Sequence, residues 1–412
     1  MKLSIVICVY NTKPELLSEC LDSITDSTLF SPPDFFPAEC EIVMVDDGSD
    51  TDYTELVRKY HVKYTKTENQ GIFRARLLGT ELAEGDYVAF VDSDDTVSFN
   101  YHLPMLMRAQ DTGADIVIND WAYHTESSKY YTDADSTVMT DIDLEGDSIL
   151  RAFLAQRGRE HSYYVLWNKI YRRELLAYAT KETMSASDGI DRFNYSEDAL
   201  INFFAFSDAK RVVNVHTGYY FYRIHPAQSV SVTAAKKLRR QADLISLTLD
   251  RMSSEVQKRD DRDELSEHIE EWRSFICRSH YTHAKSGGFT ELYPYLKKKY
   301  NRDKLKRSTY RDEICGMRCK PLPDNFDEID AALLEAWRSS TLPKCQDGFA
   351  YARKSVNFIK ETKALSVDAE ITLPKAKVPF KKKVRFNPTL MRIARVLFPK
   401  GSKIRAFLKR HM

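Results

Sequence analysis

Two acidic clusters stand where carboxylates could do chemistry. Asp92-Ser93-Asp94-Asp95 directly follows the apolar run Val88-Ala89-Phe90-Val91, and Asp46-Asp47-Gly48-Ser49-Asp50 follows Glu41 to Val45. Alternate residues leaving a strand can aim two carboxylates at one point. Hard oxygen ligands of this kind suit Mg²⁺ or Mn²⁺, which keep open positions for phosphate oxygens. A lone D-x-D is equally the pattern of a solvated acidic turn. It is not alone here: Glu68-Asn69-Gln70-Gly71 opens a segment of helical pattern that carries Arg74 and Arg76, and Val9-Tyr10-Asn11 ends another apolar run. A helix N-terminus with arginine nearby attracts phosphate. Together these residues describe a nucleotide-diphosphate site, with carboxylates for a base or ribose, a metal, and cations for the diphosphate. Neither a G-x-G-x-x-G nor a G-x-x-x-x-G-K-[ST] loop occurs, so a Rossmann dinucleotide enzyme and a P-loop NTPase are both unsupported.

The elements that must position these groups alternate between strand and helix. Ser4 to Val9 and Glu41 to Val45 are short β-branched runs fit for buried parallel strands. Pro14 to Ile24 spaces Leu16, Leu17, Cys20, Leu21 and Ile24 helically, with Thr12 as the expected N-cap and Pro14 in the first turn. Phe30 to Ala38, with three prolines, reads as a loop. A helix is expected over Tyr53 to Tyr60, a short strand at Val62 to Tyr64, and a helix over Gly71 to Ala83. Tyr87 to Val91 is a strand, His102 to Thr112 a helix and Ile116 to Asn119 a strand. That alternation specifies an α/β fold with a mostly parallel sheet, in which ligands bind at the carboxyl ends of the strands.

With these motifs in hand, the chain resembles the family 2 glycosyltransferases of GT-A fold, of the bacterial surface-polysaccharide type. The resemblance rests on Ser4 to Asn11, Val45 to Asp50, Glu68 to Gly71 with Ala75-Arg76, and Phe90 to Asp95, in that order and spacing. It is strong to about residue 120 and weaker to about 232. It implies that Val9 and Asp47 line a nucleobase site with Asp46 nearby, that Arg76 helps hold the donor, that Asp92 approaches the ribose and that Asp94 ligates a divalent metal, Mn²⁺ or Mg²⁺. Asn11, Asn69, Gly71 and Ser93 belong to the same donor-binding motifs. One departure is visible, since the family often has Asn after the Ala-Arg pair and Leu77 stands here.

The resemblance continues in Leu166-Trp167-Asn168-Lys169-Ile170-Tyr171 and Ser196-Glu197-Asp198-Ala199. It makes Asp198 the expected catalytic base, with Glu197 beside it. An inverting sugar transfer needs one carboxylate to take the acceptor's hydroxyl proton while the metal stabilises the leaving diphosphate. The same four residues also read as a serine N-cap followed by acidic residues favoured in a first helical turn. In Tyr219 to His225, Arg223 can pair with phosphate and His225 can bind phosphate or metal, although His225 before Pro226 is equally a loop histidine. Trp167 reads as core or acceptor wall.

Beyond the motifs, Ala234 to Arg273 is helical and charged, with Leu238, Ala242, Ile245, Leu249 and Met252 on one stripe. The expected division is 1–232 for the GT-A domain, 233–370 for a mainly helical region, and 371–412 for a basic tail. Of the 412 residues 43% are hydrophobic and 29% charged, which excludes wholesale disorder. No apolar run reaches the ~18 residues a bilayer span needs, and the first ten residues read as a strand rather than a signal peptide. Seven scattered cysteines argue for a reducing compartment, and Cys315 and Cys319 lack further nearby zinc ligands. The net charge of +1 hides a contrast: Lys375 to Met412 holds 13 Lys or Arg and no acidic residue. Leu390, Ile393, Ala394 and Leu397 could share one face of an amphipathic helix in that tail, which fits an anionic membrane surface. Few aromatics interleave the charges, so nucleic acid is not an expected partner. The expected setting is cytoplasmic, peripheral at the inner face of the cell membrane, with a nucleotide-sugar donor and a glycan or lipid-linked acceptor. The rival expectation is a non-catalytic scaffold that keeps the fold and is recruited to membrane by its tail.

Overall fold

The structure is a computed structural model and describes residues 1–30, 32, 38–125, 130–133, 141–158, 160–190, 192–224, 234–300 and 319–321. β1 (Lys2–Val9) is apolar on both faces because both are covered. Leu3, Ile5, Ile7 and Val9 point into one core and Val6 into the other, the period of two that a pleated strand imposes. α1 (Pro14–Thr25) follows, then β2 (Glu39–Asp46), which runs parallel to β1 over eight residue pairs. α2 (Thr54–Lys59) leads to β3 (Lys63–Lys66), parallel to β2. α3 (Ile72–Leu82) crosses the sheet to β4 (Tyr87–Asp92), parallel to β1 on its other side. Gly79 lets α3 lie this close: a Cβ there would sit 2.3 Å from Val6 Cγ1.

The chain continues through β5 (Thr96–Val97), α4 (His102–Thr112), β6 (Ile116–Thr125), β7 (Tyr130–Asp133) and β8 (Asp143–Glu145). Next come α5 (Asp147–Ala155), the short α6 (His161–Tyr164), β9 (Lys169–Arg172), α7 (Arg173–Ala186), α8 (Glu197–Asp208) and β10 (Arg211–Ile224). β9 inserts antiparallel between β4 and β6, and β10 pairs parallel with β6. With the strand Cys319–Pro321 as β11, the strand order is β11-β7-β6-β9-β4-β1-β2-β3. The sheet is therefore mixed, parallel where the acidic clusters end its strands.

Several expectations shift. The expected strand at Ile116 to Asn119 runs on to Thr125, and Tyr219 to Ile224 is the end of the 14-residue β10. Thr12 does not cap α1: the N-cap is Lys13 with no side-chain bond, and the Thr12 hydroxyl instead meets Ser93 Oγ at 2.6 Å. The single helical stretch expected after Ala234 is two helices, α9 (Ala235–Val256) and α10 (Arg262–Ser286), followed by α11 (Tyr293–Lys299). The stripe Leu238, Ala242, Ile245, Leu249 and Met252 is buried in the same core as Val6, Phe90 and Leu200. Each of its Leu, Ile and Met side chains contributes about 1.5–3 kcal/mol by leaving water. Among the described residues no helix is long and apolar enough to cross a membrane.

Candidate functional site

The carboxyl ends of β1, β2 and β4 lie side by side, and three loops meet there. After β1, Asn11 takes a left-handed conformation (φ 51°). Its backbone N–H donates to Ser49 Oγ at 2.8 Å, and its Oδ1 accepts the Asp50 N–H at 2.8 Å. Asp46 is fully buried and accepts from the Ser49 N–H (2.7 Å) and the Tyr64 hydroxyl (2.7 Å). It builds the loop and presents no face to solvent. Asp47 is one step nearer the surface. Its two oxygens accept the N–H groups of Gln70 (2.7 Å) and Gly71 (2.8 Å), which fixes the entry to α3. Gly48 (φ 80°) is required by this approach, because a Cβ there would lie 2.6 Å from Asn69 N. Val9, Asn11, Asp46, Asp47, Asn69 and Gly71 thus form one wall. The Val9 carbonyl accepts the Asp47 N–H at 2.9 Å and closes it.

Arg76 is the hinge between this wall and the chain's second half. It projects from α3, 7% exposed, and donates to Glu197 Oε1 at 2.7 Å and to Asp92 Oδ1 at 3.2 Å. One guanidinium therefore ties the end of β4 to the start of α8 and balances a group of carboxylates. Burial pushes Glu197 up to about 7, against the opposing pull of Arg76 and with the neighbouring Asp198 charge adding to the rise. Burial also raises Asp92 and Asp198, again opposed by Arg76. Arg76 itself is held protonated: burial lowers its pKa, but the charges of Asp92 and Glu197 outweigh that.

Glu197 and Asp198 have different situations. Glu197 is buried and ion-paired. Asp198 is half-buried and makes no ion pair among the described residues; its Oδ1 accepts the Ala199 N–H at 2.8 Å. Ser196 is the N-cap by position, yet its φ of 63° turns the hydroxyl away from the helix to meet Thr248 Oγ1 of α9 at 2.8 Å. The expected serine cap is absent for that reason.

The β4 cluster divides in the same way. Asp95 is 1% exposed and accepts from the Tyr220 hydroxyl (2.7 Å) and the Arg223 N–H (2.7 Å). Burial, then the Asp94 and Asp92 charges, push its pKa well up. Asp94 is half-buried. Its carbonyl accepts Arg223 Nε at 2.8 Å, while Arg223 Nη2 donates to Glu19 on α1 at 2.5 Å. Arg223 thus stands beside the cluster, with Glu19 as a partner the sequence did not advertise. Ser93 is held by Thr12. Trp167 is core: it stacks on Tyr220 (centroids 4.4 Å apart) and on Tyr222 (5.7 Å). His225 lies outside the described residues. Sequence reading missed Tyr220, whose hydroxyl accepts the Asp92 N–H at 3.0 Å and donates to Asp95. Its place in a Tyr-Tyr-Phe-Tyr run gave no hint of which ring turns inward.

Residues 4–178 match the glycosyl transferase family 2 profile. EpsH of Bacillus subtilis (strain 168) is 30% identical over 227 residues, which cover 54% of this chain and 60% of that protein. The poly(ribitol-phosphate) beta-glucosyltransferase of Bacillus spizizenii is 35% identical over 125 residues, 29% of this chain and 19% of that one. The chain therefore spans less than two thirds of the length of these relatives. Among solved structures, S. aureus TarS 1–349 in complex with UDP superposes with a TM-score of 0.50 at 18% identity, covering 87% of this chain and 91% of that one. Its complex with UDP-GlcNAc gives 0.50 at 17% identity, with 91% and 93% covered. The sheet order and the TarS superpositions agree on the fold, and residues 4–178 carry the likeness to glycosyl transferase family 2.

Proposed function

We propose that the chain is an inverting, metal-dependent glycosyltransferase. It moves a sugar from a nucleotide-sugar, a UDP-sugar, to a hydroxyl of a growing bacterial surface glycan or lipid-linked acceptor. The observation that carries the reading is the Arg76 bridge. It ties Glu197, the neighbour of Asp198 at the start of α8, to Asp92 at the carboxyl end of β4, which supports a role for Asp198 beside the donor motifs. The names of the similar proteins support the donor and acceptor classes, since TarS is described with UDP and UDP-GlcNAc and one relative is a poly(ribitol-phosphate) glucosyltransferase.

In this reading the Asp198 carboxylate takes the acceptor hydroxyl's proton as that oxygen attacks the anomeric carbon. The bond from that carbon to the diphosphate oxygen breaks, the nucleoside diphosphate departs, and the configuration inverts. Glu197 serves by pairing with Arg76, which leaves Asp198 the carboxylate of the two that is open to an acceptor. The residues present fit a divalent metal. Asp95 and Asp92 are engaged by Tyr220 and Arg76, and among the described residues no three ligating side chains gather around a point. Hard cations are commonly held in this way, by one or two carboxylates with substrate phosphate oxygens completing the shell. Asp94 would hold the ion, and when bound the ion supplies charge neutralisation at the leaving diphosphate. The helices between Ala235 and Lys299 are proposed as a support, and the basic 375–412 tail as a contact to an anionic membrane surface at the cytoplasmic face. Residues 301–318 and 322–412, with the rest of the expected 233–370 region and the tail, lie outside the described residues.

The test is release of UDP from UDP-sugars with Mn²⁺ by wild type, Asp198→Asn and Asp94→Ala. Loss of the base is expected to lower turnover by roughly 10²–10⁴ with donor affinity kept. Undiminished transfer in both variants would refute the assignment.

A further inference from the structure

Behind Asp198 lies a buried polar assembly that the donor site does not use. Asn202, one turn further along α8, is fully buried. Its Nδ2 group donates to the carbonyls of Tyr164 (2.8 Å), Val165 (3.1 Å) and Asp198 itself (3.1 Å), and its Oδ1 accepts the Tyr171 hydroxyl at 2.8 Å. Lys169 is 1% exposed. Its Nζ donates to the same Val165 carbonyl at 2.6 Å and to Asn168 Oδ1 at 2.7 Å. Asn168, also fully buried, donates to the Ser162 carbonyl at 3.2 Å. The Val165 carbonyl is therefore shared by an amine and an amide, and that amide also grips the first turn of α8.

A buried lysine is a poor way to gain stability. Replacing buried charge by apolar residues of similar volume is often neutral or stabilising, so its presence asks for another reason. The charged groups facing Asp198 are Arg76 from α3, Asp92 from β4, Lys169 from β9 and Glu197 beside it, and Lys169 in turn faces Asp198 and Glu160. Among the described residues Lys169 makes no ion pair; its side-chain bonds go to the Val165 carbonyl and Asn168 Oδ1.

We propose that Lys169 and Asn202 are positioning residues for Asp198. Asn202 clamps the first turn of α8 to the Tyr164 and Val165 carbonyls, and Lys169 anchors that clamp; burial pulls the lysine's own pKa well down, and in its protonated form it stabilises the Asp198 carboxylate. The inference rests on the reading of Asp198 as the base. It explains why a lysine and two amides are buried behind Asp198, and it predicts that this layer tunes catalysis while donor binding, built on β1, β2 and β4, is untouched.

The test uses the full chain with Mn²⁺ and UDP-glucose, UDP-galactose and UDP-N-acetylglucosamine as probes, following UDP release for wild type, Lys169→Met and Asn202→Leu across pH 5–9. In Lys169→Met we expect kcat to fall about tenfold or more, donor KM to stay within about twofold, and the acidic limb of the kcat profile to move upward by about one unit. Carboxyl ¹³C titration, with Asp198→Asn for assignment, is the second readout and needs no substrate. An unmoved acidic limb, or a rate loss matched by loss of folded protein, would show a merely structural role and overturn the proposal. Should wild type release no UDP, the base reading fails. The titration then decides the positioning alone: an unmoved Asp198 midpoint in Lys169→Met overturns it, and a raised midpoint sustains it. If Asn202→Leu does not fold, Lys169→Met carries the test.

Discussion

Arg76→Met removes the cation that bridges Asp92 and Glu197, and its cost can be worked from the structure. The Arg76 and Glu197 side chains are each 8% exposed and Asp92 is 30% exposed, so water cannot replace the lost partner fully. Deleting one member of a buried pair costs about 3–5 kcal/mol because the remaining charge is stranded. At an unfolding entropy of about 2.1 cal/mol/K per residue, 1 kcal/mol shifts a chain of 412 residues by roughly 1 °C, so Tm should fall by roughly 3–6 °C. The loss is expected to depend on pH, and its sign follows from Glu197. That carboxyl sits at about 7 in the fold, above its unfolded value, even with Arg76 holding it down. A carboxyl with a raised folded pKa contributes stability that is present at low pH and is lost as pH rises through the folded value. Without Arg76, Glu197, Asp92 and Asp198 all move further up, since the guanidinium opposes the rise of each.

The variant should therefore be most damaged near pH 8.5, where the carboxylates must stay charged, and least near pH 5.5, where they can take protons. Calorimetric unfolding at both pH values checks this, and the double variant Arg76→Met/Glu197→Gln should recover part of the loss at pH 8.5. An equal Tm loss at the two pH values, or a loss under about 1 kcal/mol at pH 8.5, would refute the claim that Arg76 is the site's charge balance.

Three further outcomes are expected. Gly79→Ala gains helix propensity worth about 1 kcal/mol, but its Cβ would meet Val6 Cγ1 at 2.3 Å, so the urea midpoint should fall, by about 1–3 kcal/mol net; a rising midpoint would contradict the packing of α3 on β1. Asp47→Asn keeps one of the two acceptors that hold Gln70 and Gly71, and calorimetric titration with UDP should show affinity weakened about tenfold, or 1.4 kcal/mol. Trp167→Ala opens the stack on Tyr220 and Tyr222 and should cost about 3–5 kcal/mol in the same urea experiment.

What could be read from the sequence is what depends on near neighbours. β1, β2 and β4 are buried on both faces and so read as unbroken apolar runs, and the acidic clusters that end them are local by nature. β10 is not legible as a strand, because Asn214, His216, Thr217 and Gly218 break its pattern, and the pairing with β6 shifts register across that same stretch. The bonds that assemble the site were not legible. Arg76 and Glu197 are 121 residues apart, and Arg223 and Glu19 are 204 apart. Nothing in either pair's neighbourhood names the other. Thr12 and Ser196 show a subtler limit. Each is a residue type that caps helices, and each finds a better-placed tertiary hydroxyl, on Ser93 and on Thr248.

The helices after Ala234 gain a purpose from this. The segment between α7 and α8 holds Arg192 at φ 70° and Ser196 at φ 63°, left-handed conformations that cost a non-glycine residue about 1 kcal/mol or more. Such strain persists only where surrounding contacts over-determine it. Both positions are tied to α9, Ser196 by Thr248 and the Arg192 carbonyl by the Arg240 guanidinium at 2.9 Å. Arg192 also reaches the Asn69 carbonyl at 3.2 Å, at the mouth of the donor wall. The turn at Ser196 sets the direction in which α8 starts, and so where Glu197 meets Arg76 and where Asp198 points. In this chain the orientation of the proposed base is therefore fixed partly by a helix that lies beyond the family match and contributes no side chain to the donor site.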